Sequence, residues 1–363
     1  MINKDTLIAV AMSGGVDSSV AAALLKEQGY NIIGLSMKTT PCEMEEERTE
    51  RYNSCCSLRH LQDARYVAHM LGIPYQLLDF HKEFQTLVID DFVDQYNRGR
   101  TPSPCVVCNE KVKFDLFFRR VREFGAEYVA TGHYAKVEYN PESGRYILRR
   151  PKDLDRDQTY FLYGLTQEQL SRAIFPLADY TKSEVREIAR KLGLRVADKP
   201  DSQELCFVTD KDYRDFLAKR ASNHIKPGPI VDRAGNVLGE HRGIQFYTIG
   251  QRKGLGIALG KPKYVVALDA ETNSVIVGDN EDLFSKSLRV QNANFISIPT
   301  LTEPMPVLVK IRHVHAGSKA TIVPGSQDRE VEVIFEEPQR AITPGQSAVF
   351  YDGDIVVGGG VII

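Results

Sequence analysis

The stretch Ala11-Met12-Ser13-Gly14-Gly15-Val16-Asp17-Ser18-Ser19 constrains the fold more than any other part of the chain. It follows an apolar run, 7–11, that reads as a buried parallel strand, and it leads into 16–28, which reads as a helix stopped by Gly29. A strand, a glycine pair, hydroxyls and a helix N-terminus make an anion site. Gly14 and Gly15 can adopt φ > 0 and let the backbone come close to a ligand. The first N–H groups of the helix point at that ligand, its dipole favours negative charge, and successive N–H groups form a concave nest. Ser13, Ser18 and Ser19 add donors. Asp17 does not suit a bare anion site; it suits one in which a divalent cation accompanies phosphates. No lysine follows the glycines, so this is neither the mononucleotide loop nor the dinucleotide G-x-G-x-x-G.

The rest of the first 200 residues alternates strand and helix. Strands are expected at 31–37, 75–79 and 128–131, and helices at 57–71, 83–96 and 109–124. That alternation predicts an α/β fold with a doubly wound parallel sheet, whose ligands sit beyond the carboxyl ends of the strands. Met37 and Gly132 both fall there. A hairpin is expected at 136–150 and helices at 166–173, 181–192 and 212–219. After residue 205 the texture becomes short β runs broken by Gly, Pro, Asn and Asp, with strands expected at 307–312, 319–323, 331–335, 347–351 and 355–359. At 363 residues, two or three domains are expected. The boundaries read as 1–205 for the nucleotide domain, 206–282 for a small β-rich domain and 283–363 for a β-barrel.

The net charge of −2 gives no global basic field, and no apolar run is long enough to cross a membrane. The expected location is the cytoplasm, where the six cysteines serve chemistry more readily than structural disulfides. Cys108 ends Gly99-Arg-Thr-Pro-Ser-Pro-Cys-Val-Val-Cys108, just before the helix expected at 109–124. A helix N-terminus lowers a thiol pKa, and Arg100, Lys111 and Lys113 act in the same direction. Cys206, between Leu205 and Phe207, reads by itself as a small buried hydrophobe. Cys42, Cys55 and Cys56 read as partly buried thiols around the acidic insertion at 38–53.

Ser13-Gly-Gly-x-Asp-Ser18 resembles the PP-loop of the ATP pyrophosphatases, which release pyrophosphate and use AMP to activate a carbonyl oxygen. Further along come Gly99-Arg-Thr-Pro-x-Pro-x-x-x-Cys-Asn109, Thr131-Gly-His-Tyr-Ala135, Arg156-Asp-Gln-x-Tyr-Phe161, Asp201-Ser-Gln-x-x-Cys-Phe207, Tyr247-Thr-Ile-Gly-Gln-Arg-Lys-Gly254 and Thr343-Pro-Gly-Gln-x-x-Val-Phe350. In this order, over the whole chain, they resemble the bacterial tRNA-specific 2-thiouridylases. The resemblance implies ATP, with Mg²⁺, on Ala11 to Ser18, Met37 and Gly132. It implies adenylation of the 2-carbonyl of a wobble uridine. It also implies that Cys206 carries sulfur as a persulfide and that Cys108 is the nucleophile that releases it, leaving a Cys108–Cys206 disulfide. By the same resemblance, Ser103-Pro104-Cys105 faces the target base, and His133, Arg156, Asp157, Gln158, Arg312, His313 and Gln346 face tRNA. His133 reads as a positioning residue. The implied partners are tRNA and a sulfur donor, a cysteine desulfurase or relay protein, and the chain is expected to be a monomer.

Many family members have Asn-Pro-Asp where this chain has Ser103-Pro104-Cys105. Cys105 creates Cys105-x-x-Cys108, which with Cys206 makes three thiols. Three ligands with one open position suit an iron–sulfur cluster carrying a labile sulfide, the alternative to the persulfide relay. No second cysteine pair at zinc spacing is present. Basic clusters at Arg98, Arg100, Lys111, Lys113, Arg119, Arg120 and Arg122, and at Arg149, Arg150, Lys152 and Arg156, are candidate phosphate contacts. The rival readings are another PP-loop ligase, which attacks with nitrogen and needs neither cysteine, and an RNA-binding protein with a degenerate nucleotide site.

Overall fold

The computed structural model describes residues 2–39, 58–200, 205–208, 212–221, 223–257 and 260–363. Cys42, Cys55, Cys56, Ser57, nearly all of the acidic insertion and Asp201 to Glu204 lie outside the described residues. The chain forms two compact units, one of residues 1–89, 105–209 and 354–356, the other of 90–104, 210–353 and 357–363.

The first unit holds β1 (Leu7–Ala11), β2 (Asn31–Lys38), β3 (Tyr75–Asp79), β4 (Tyr128–Ala130), the hairpin β5 (Lys136–Asn140) and β6 (Arg145–Arg149), and β7 (Ala173–Ile174). The sheet order is β3-β2-β1-β4-β7, with every pair parallel. β1 lies between β2 and β4, so the winding reverses beside its carboxyl end, which is where such sheets bind ligands. Ile8, Ala9 and Val10 are fully buried, as suits a central parallel strand. α1 (Val16–Glu27) buries Val20, Ala21, Ala22, Leu24 and Leu25, and Gly29, at φ +81°, ends it in the left-handed conformation. α2 (Leu58–Met70) packs Ala64, Val67 and Ala68 into the same core.

Two helices differ from expectation. The one expected at 83–96 starts at His81, whose N–H donates to Asp79 Oδ1 (3.0 Å), and passes through a π-helical turn at Gln85–Ile89. The one expected at 109–124 starts five residues earlier, at Pro104, because proline suits the first helical position, where no N–H is needed.

In the second unit, β8 (Gly228–Asp232), β9 (Val237–His241), β10 (Tyr264–Asp269) and β11 (Ser274–Gly278) form a small sheet in the order β10-β11-β8-β9. The six strands β12 (Phe284–Phe295), β13 (Met305–Lys310), β14 (Ser318–Pro324), β15 (Val331–Arg340), β16 (Ser347–Asp352) and β17 (Ile355–Ile362) run in the order β12-β15-β14-β13-β16-β17. Pairing of β12 with β17 closes them into a barrel. The first half of β15 alternates buried and exposed, placing Val331, Val333 and Phe335 inside. The fold is therefore the expected doubly wound parallel sheet with a small β-rich domain and a C-terminal β-barrel.

Candidate active site

The loop after β1 leaves the sheet from a fixed point, since Met12 N–H donates to Leu35 O (2.8 Å). It then closes on itself. Ser13 N–H donates to Ser18 Oγ (3.1 Å), and the Ser18 and Ser19 hydroxyls donate to Gly15 O (3.3 and 2.8 Å). Gly14 has φ +72°, and a Cβ there would lie 1.9 Å from His60 O in the first turn of α2. Gly15 departs from expectation: it caps α1 at φ −91°, outside the left-handed region. Gly132, past the end of β4, lies against the start of α1, where a Cβ would stand 2.6 Å from Ser18 N and 2.7 Å from Asp17 C. Met37, at the end of β2, is half-buried. The expected nucleotide residues thus line the ends of β1, β2 and β4.

Asp17 has partners that spacing did not reveal. Lys182 Nζ donates to both carboxylate oxygens (2.8 Å each) and Tyr134 OH to one (2.9 Å). Burial, then Asp17 itself, pushes the Tyr134 phenol well above its usual pKa and keeps it a donor. Lys182 is the first residue of the helix Lys182–Lys191, where Thr181 and Glu184 form a reciprocal capping box. That box was readable in the sequence; the partner of Lys182 was not. Opposite, Lys199 Nζ donates to Gly14 O (3.1 Å), and Lys199 and Arg195 both pair with the buried Asp63.

The Cys108 region is one helical run: Pro104–Val107, a π-helical stretch Cys108–Leu116, then Phe117–Arg122. Cys108 therefore lies beyond the first turn, where the dipole effect has faded, and the expected activation by a helix N-terminus does not apply. π-helical turns are frequent at functional sites. Asn109 is buried and donates from Nδ2 to Phe161 O (3.0 Å), while its Oδ1 has no hydrogen-bond partner among the described residues. Gln169 Nε2 donates to Glu110 O (3.2 Å). Cys206 is half-exposed, not the buried hydrophobe expected of it, because Phe207 and Val208 take the buried positions beside it. Phe207 meets Phe84 edge-on (6.0 Å between ring centroids), and Phe80 packs on Phe117 (6.3 Å). The same short segment, 80–84, thus supports both cysteine-bearing stretches.

Cys105 is exposed, yet the protein atoms packed about it push its thiol pKa up, against the pull of Lys113. Among the described residues no disulfide joins Cys105, Cys108 or Cys206. Among the described residues no three Cys, His, Asp or Glu side chains converge as a metal-ligand group. The three-cysteine ligand set that the cluster alternative requires is not assembled among the described residues.

Family models match nearly the whole chain: a tRNA methyl transferase HUP domain over residues 6–210, a tRNA methyl transferase PRC-barrel domain over 214–279 and an aminomethyltransferase beta-barrel domain over 285–362. The tRNA-specific 2-thiouridylase MnmA of Clostridioides difficile is 51% identical over 361 residues, covering 99% of this chain and 98% of that protein. Its counterpart from Acetivibrio thermocellus is 53% identical over 355 residues, covering 98% of each. The chain belongs to the tRNA-specific 2-thiouridylase family.

The residues that this family resemblance aims at tRNA divide into two groups. Arg156, Arg312 and His313 are exposed. Three others make contacts within the protein. Asp157 is buried, accepts from Thr159 N–H and faces Arg150 (3.3 Å). Gln158 Oε1 accepts from Tyr134 N–H (2.9 Å). Gln346 Nε2 donates to Thr101 O and Pro102 O (2.9 and 3.1 Å), securing the loop that leads to Ser103 and Pro104. Ser103 is half-buried and Pro104 buried. The second basic cluster is largely neutralised: Arg149 pairs with Glu138 and Asp354, Arg150 with Asp157, and Lys152 with Glu184. In the first, Arg98 pairs with Asp94, Arg119 with Asp115 and Arg120 with Glu123. His133 stands between Phe114 and Phe175 (6.2 and 6.0 Å), with Nδ1 2.7 Å from Thr131 Oγ1. Burial, helped by the Lys113 charge, holds its pKa well below the usual value, so the ring is neutral at pH 7.

Proposed function

We propose that this chain is an ATP-dependent tRNA 2-thiouridylase acting on a wobble uridine. Membership of the family over essentially its whole length carries the reading. ATP occupies Ala11, Met12, Ser13, Gly14, Gly15, Val16, Asp17 and Ser18, with Met37 and Gly132 on the adenosine side. One carboxylate beside the phosphates is enough to help hold Mg²⁺, and Asp17, about a third exposed, is that group. The ion would neutralise phosphate charge. The 2-carbonyl oxygen of uridine attacks the α-phosphate and pyrophosphate leaves, so the base oxygen departs later as AMP. Cys206 receives sulfur as a persulfide from a cysteine desulfurase or relay protein. The Cys108 thiolate attacks Cys206 Sγ and expels hydrosulfide, which adds to C2 of the base and displaces AMP. The resulting Cys108–Cys206 disulfide is reopened by an external reductant. Arg156, Arg312 and His313 are the tRNA contacts. Asp157, Gln158 and Gln346 shape the loops around them, and Ser103 and Cys105 face the base. His133 positions the base as a neutral ring. The domains are 1–205, 206–282 and 283–363, and the working form is a cytoplasmic monomer. No helix among the described residues is long and apolar enough to cross a membrane.

The test is nucleoside mass analysis of tRNA incubated with this protein, ATP and a cysteine desulfurase. Appearance of 2-thiouridine at the wobble position is the expected result. Its absence with a competent sulfur source overturns the reading.

A further inference from the structure

We propose that the loop 251–263 of the small β-rich domain is a contact for the phosphate backbone of tRNA; the inference rests on the tRNA-dependent reading above. The motif Tyr247 to Gly254 takes no part in the chemistry already described. It lies in the longest acid-free stretch of the chain: 241–268 holds Arg242, Arg252, Lys253, Lys261 and Lys263 and no Asp or Glu, although the net charge of the whole chain is −2. Arg252, Lys261 and Lys263 line one cavity of about 440 Å³, together with Gly254 and Gly256. Lys263 pairs with Asp279 (3.0 Å). Arg252 and Lys261 are exposed, and neither has an ion-pair or hydrogen-bond partner among the described residues. In the clusters at 98–122 and 149–156, by contrast, Arg98, Arg119, Arg120, Arg149, Arg150 and Lys152 already pair with carboxylates.

The loop is held at its base and in its middle. Gly250 N–H donates to Val265 O and Val265 N–H to Gln251 O (2.8 and 2.9 Å), where β10 begins. Leu255 is buried in a cluster with Ile230, Val265, Val275 and Val277, and Ile257 packs against it. The exposed glycines flank Leu255. Gly254 and Gly256 have φ of +77° and +69°, the left-handed region that favours glycine, and their N–H groups donate to no described residue. Bare backbone donors in a cavity lined by two unpaired cations suit phosphate oxygens. No aromatic side chain lines the cavity, so it offers neither the stacking platform that takes a base nor the anchor typical of a protein interface. This chemistry selects the backbone of a polyanion, held without regard to sequence.

The competing accounts are a solvated loop with no partner and a face for an acidic protein. Binding of tRNA to the full chain, measured over a range of potassium chloride concentrations, distinguishes them from the proposal. R252Q/K261Q is expected to bind tRNA about tenfold more weakly near 0.1 M salt and to reduce the slope of log affinity against log salt by about 1.5 to 2, as two lost phosphate contacts require. K26Q/K191Q removes the same charge from exposed positions at the ends of two helices and should leave the slope within about 0.3 of wild type. On the wild-type chain, tRNA is expected to slow acylation of Lys261 but not of Lys26, read by mass spectrometry; this arm stands even if the double variant does not fold. An unchanged slope in R252Q/K261Q, an equal fall in K26Q/K191Q, or equal acylation of Lys261 with and without tRNA overturns the proposal. A wild-type chain that binds no tRNA overturns the tRNA-dependent reading along with it.

Discussion

The nucleotide cradle and the two cysteine segments are held by different means. In the cradle the serines bond within the loop, Asp17 is paired, and Gly14 and Gly132 sit where a Cβ would strike backbone atoms. The Cys206 segment, 205–208, is anchored by apolar contact, Phe207 on Phe84. The difference matches the chemistry proposed for each. Adenylation needs donors fixed where charge develops, and a small misplacement is expensive. Persulfide transfer needs one thiol to be loaded by a partner and then to meet a second, so its segment must move. Aromatic contacts tolerate sliding better than directional hydrogen bonds.

The largest expected effect separates the two regions outright. Cys108→Ser and Cys206→Ser should each lower 2-thiouridine formation by about 10³-fold or more while tRNA-dependent pyrophosphate release continues. If pyrophosphate release stops with the thiolation, activation and sulfur delivery are not separable and the comparison fails. Gly132→Ala does the converse. The new Cβ meets Ser18 N and Asp17 C, which are backbone at the helix start and cannot swing aside. Adenylation should slow by about 10²-fold in a chain that still accepts sulfur on Cys206. Persulfide mass analysis beside a pyrophosphate assay reads both. A smaller effect sharpens the contrast. Phe207→Ala removes a buried ring worth roughly 3 kcal/mol of packing, so hydrogen exchange across 205–208 should accelerate and thiolation should fall while pyrophosphate release holds.

These two regions were also unequally readable. The strand, loop and helix of the cradle follow from local pattern, and β1 and α1 fall within a residue of where periodicity puts them. What tertiary structure adds is long-range: Lys182 and Lys199 reach the loop from 165 and 185 residues away, and no spacing rule encodes that. Around Cys108 the difference is local: the pattern predicts a helix from 109, but Pro104 opens the helical run, which puts Cys108 more than a turn inside it. At Cys206 the apolar neighbours suggest burial, whereas Phe207 and Val208 take the buried positions and leave Cys206 half-exposed. Among the tRNA candidates, the contacts within the fold are not encoded in the motif. Asp157 Oδ1, Gln158 Oε1 and Gln346 Nε2 each bond within the fold.

His133 provides the mildest test, one of environment more than of role. It follows β4 directly, next to Gly132 of the cradle, and its ring lies against Phe114 of the π-helical stretch that begins at Cys108. Folding lowers its pKa well below 6.5, through burial first and the Lys113 charge second. The unfolded chain then binds a proton below pH 6.5 that the folded chain refuses, so the stability linked to this ring is whole above that pH and is lost as pH falls. The loss approaches about 1.4 kcal/mol per pH unit at most. Urea unfolding from pH 7.5 to 5.5 should therefore show a steeper decline for the wild type than for His133→Gln, with the two curves parallel above the transition. Equal declines would mean that the folded ring takes up its proton normally, and that the aromatic box between the cradle and the Cys108 helix is wetter than its packing implies.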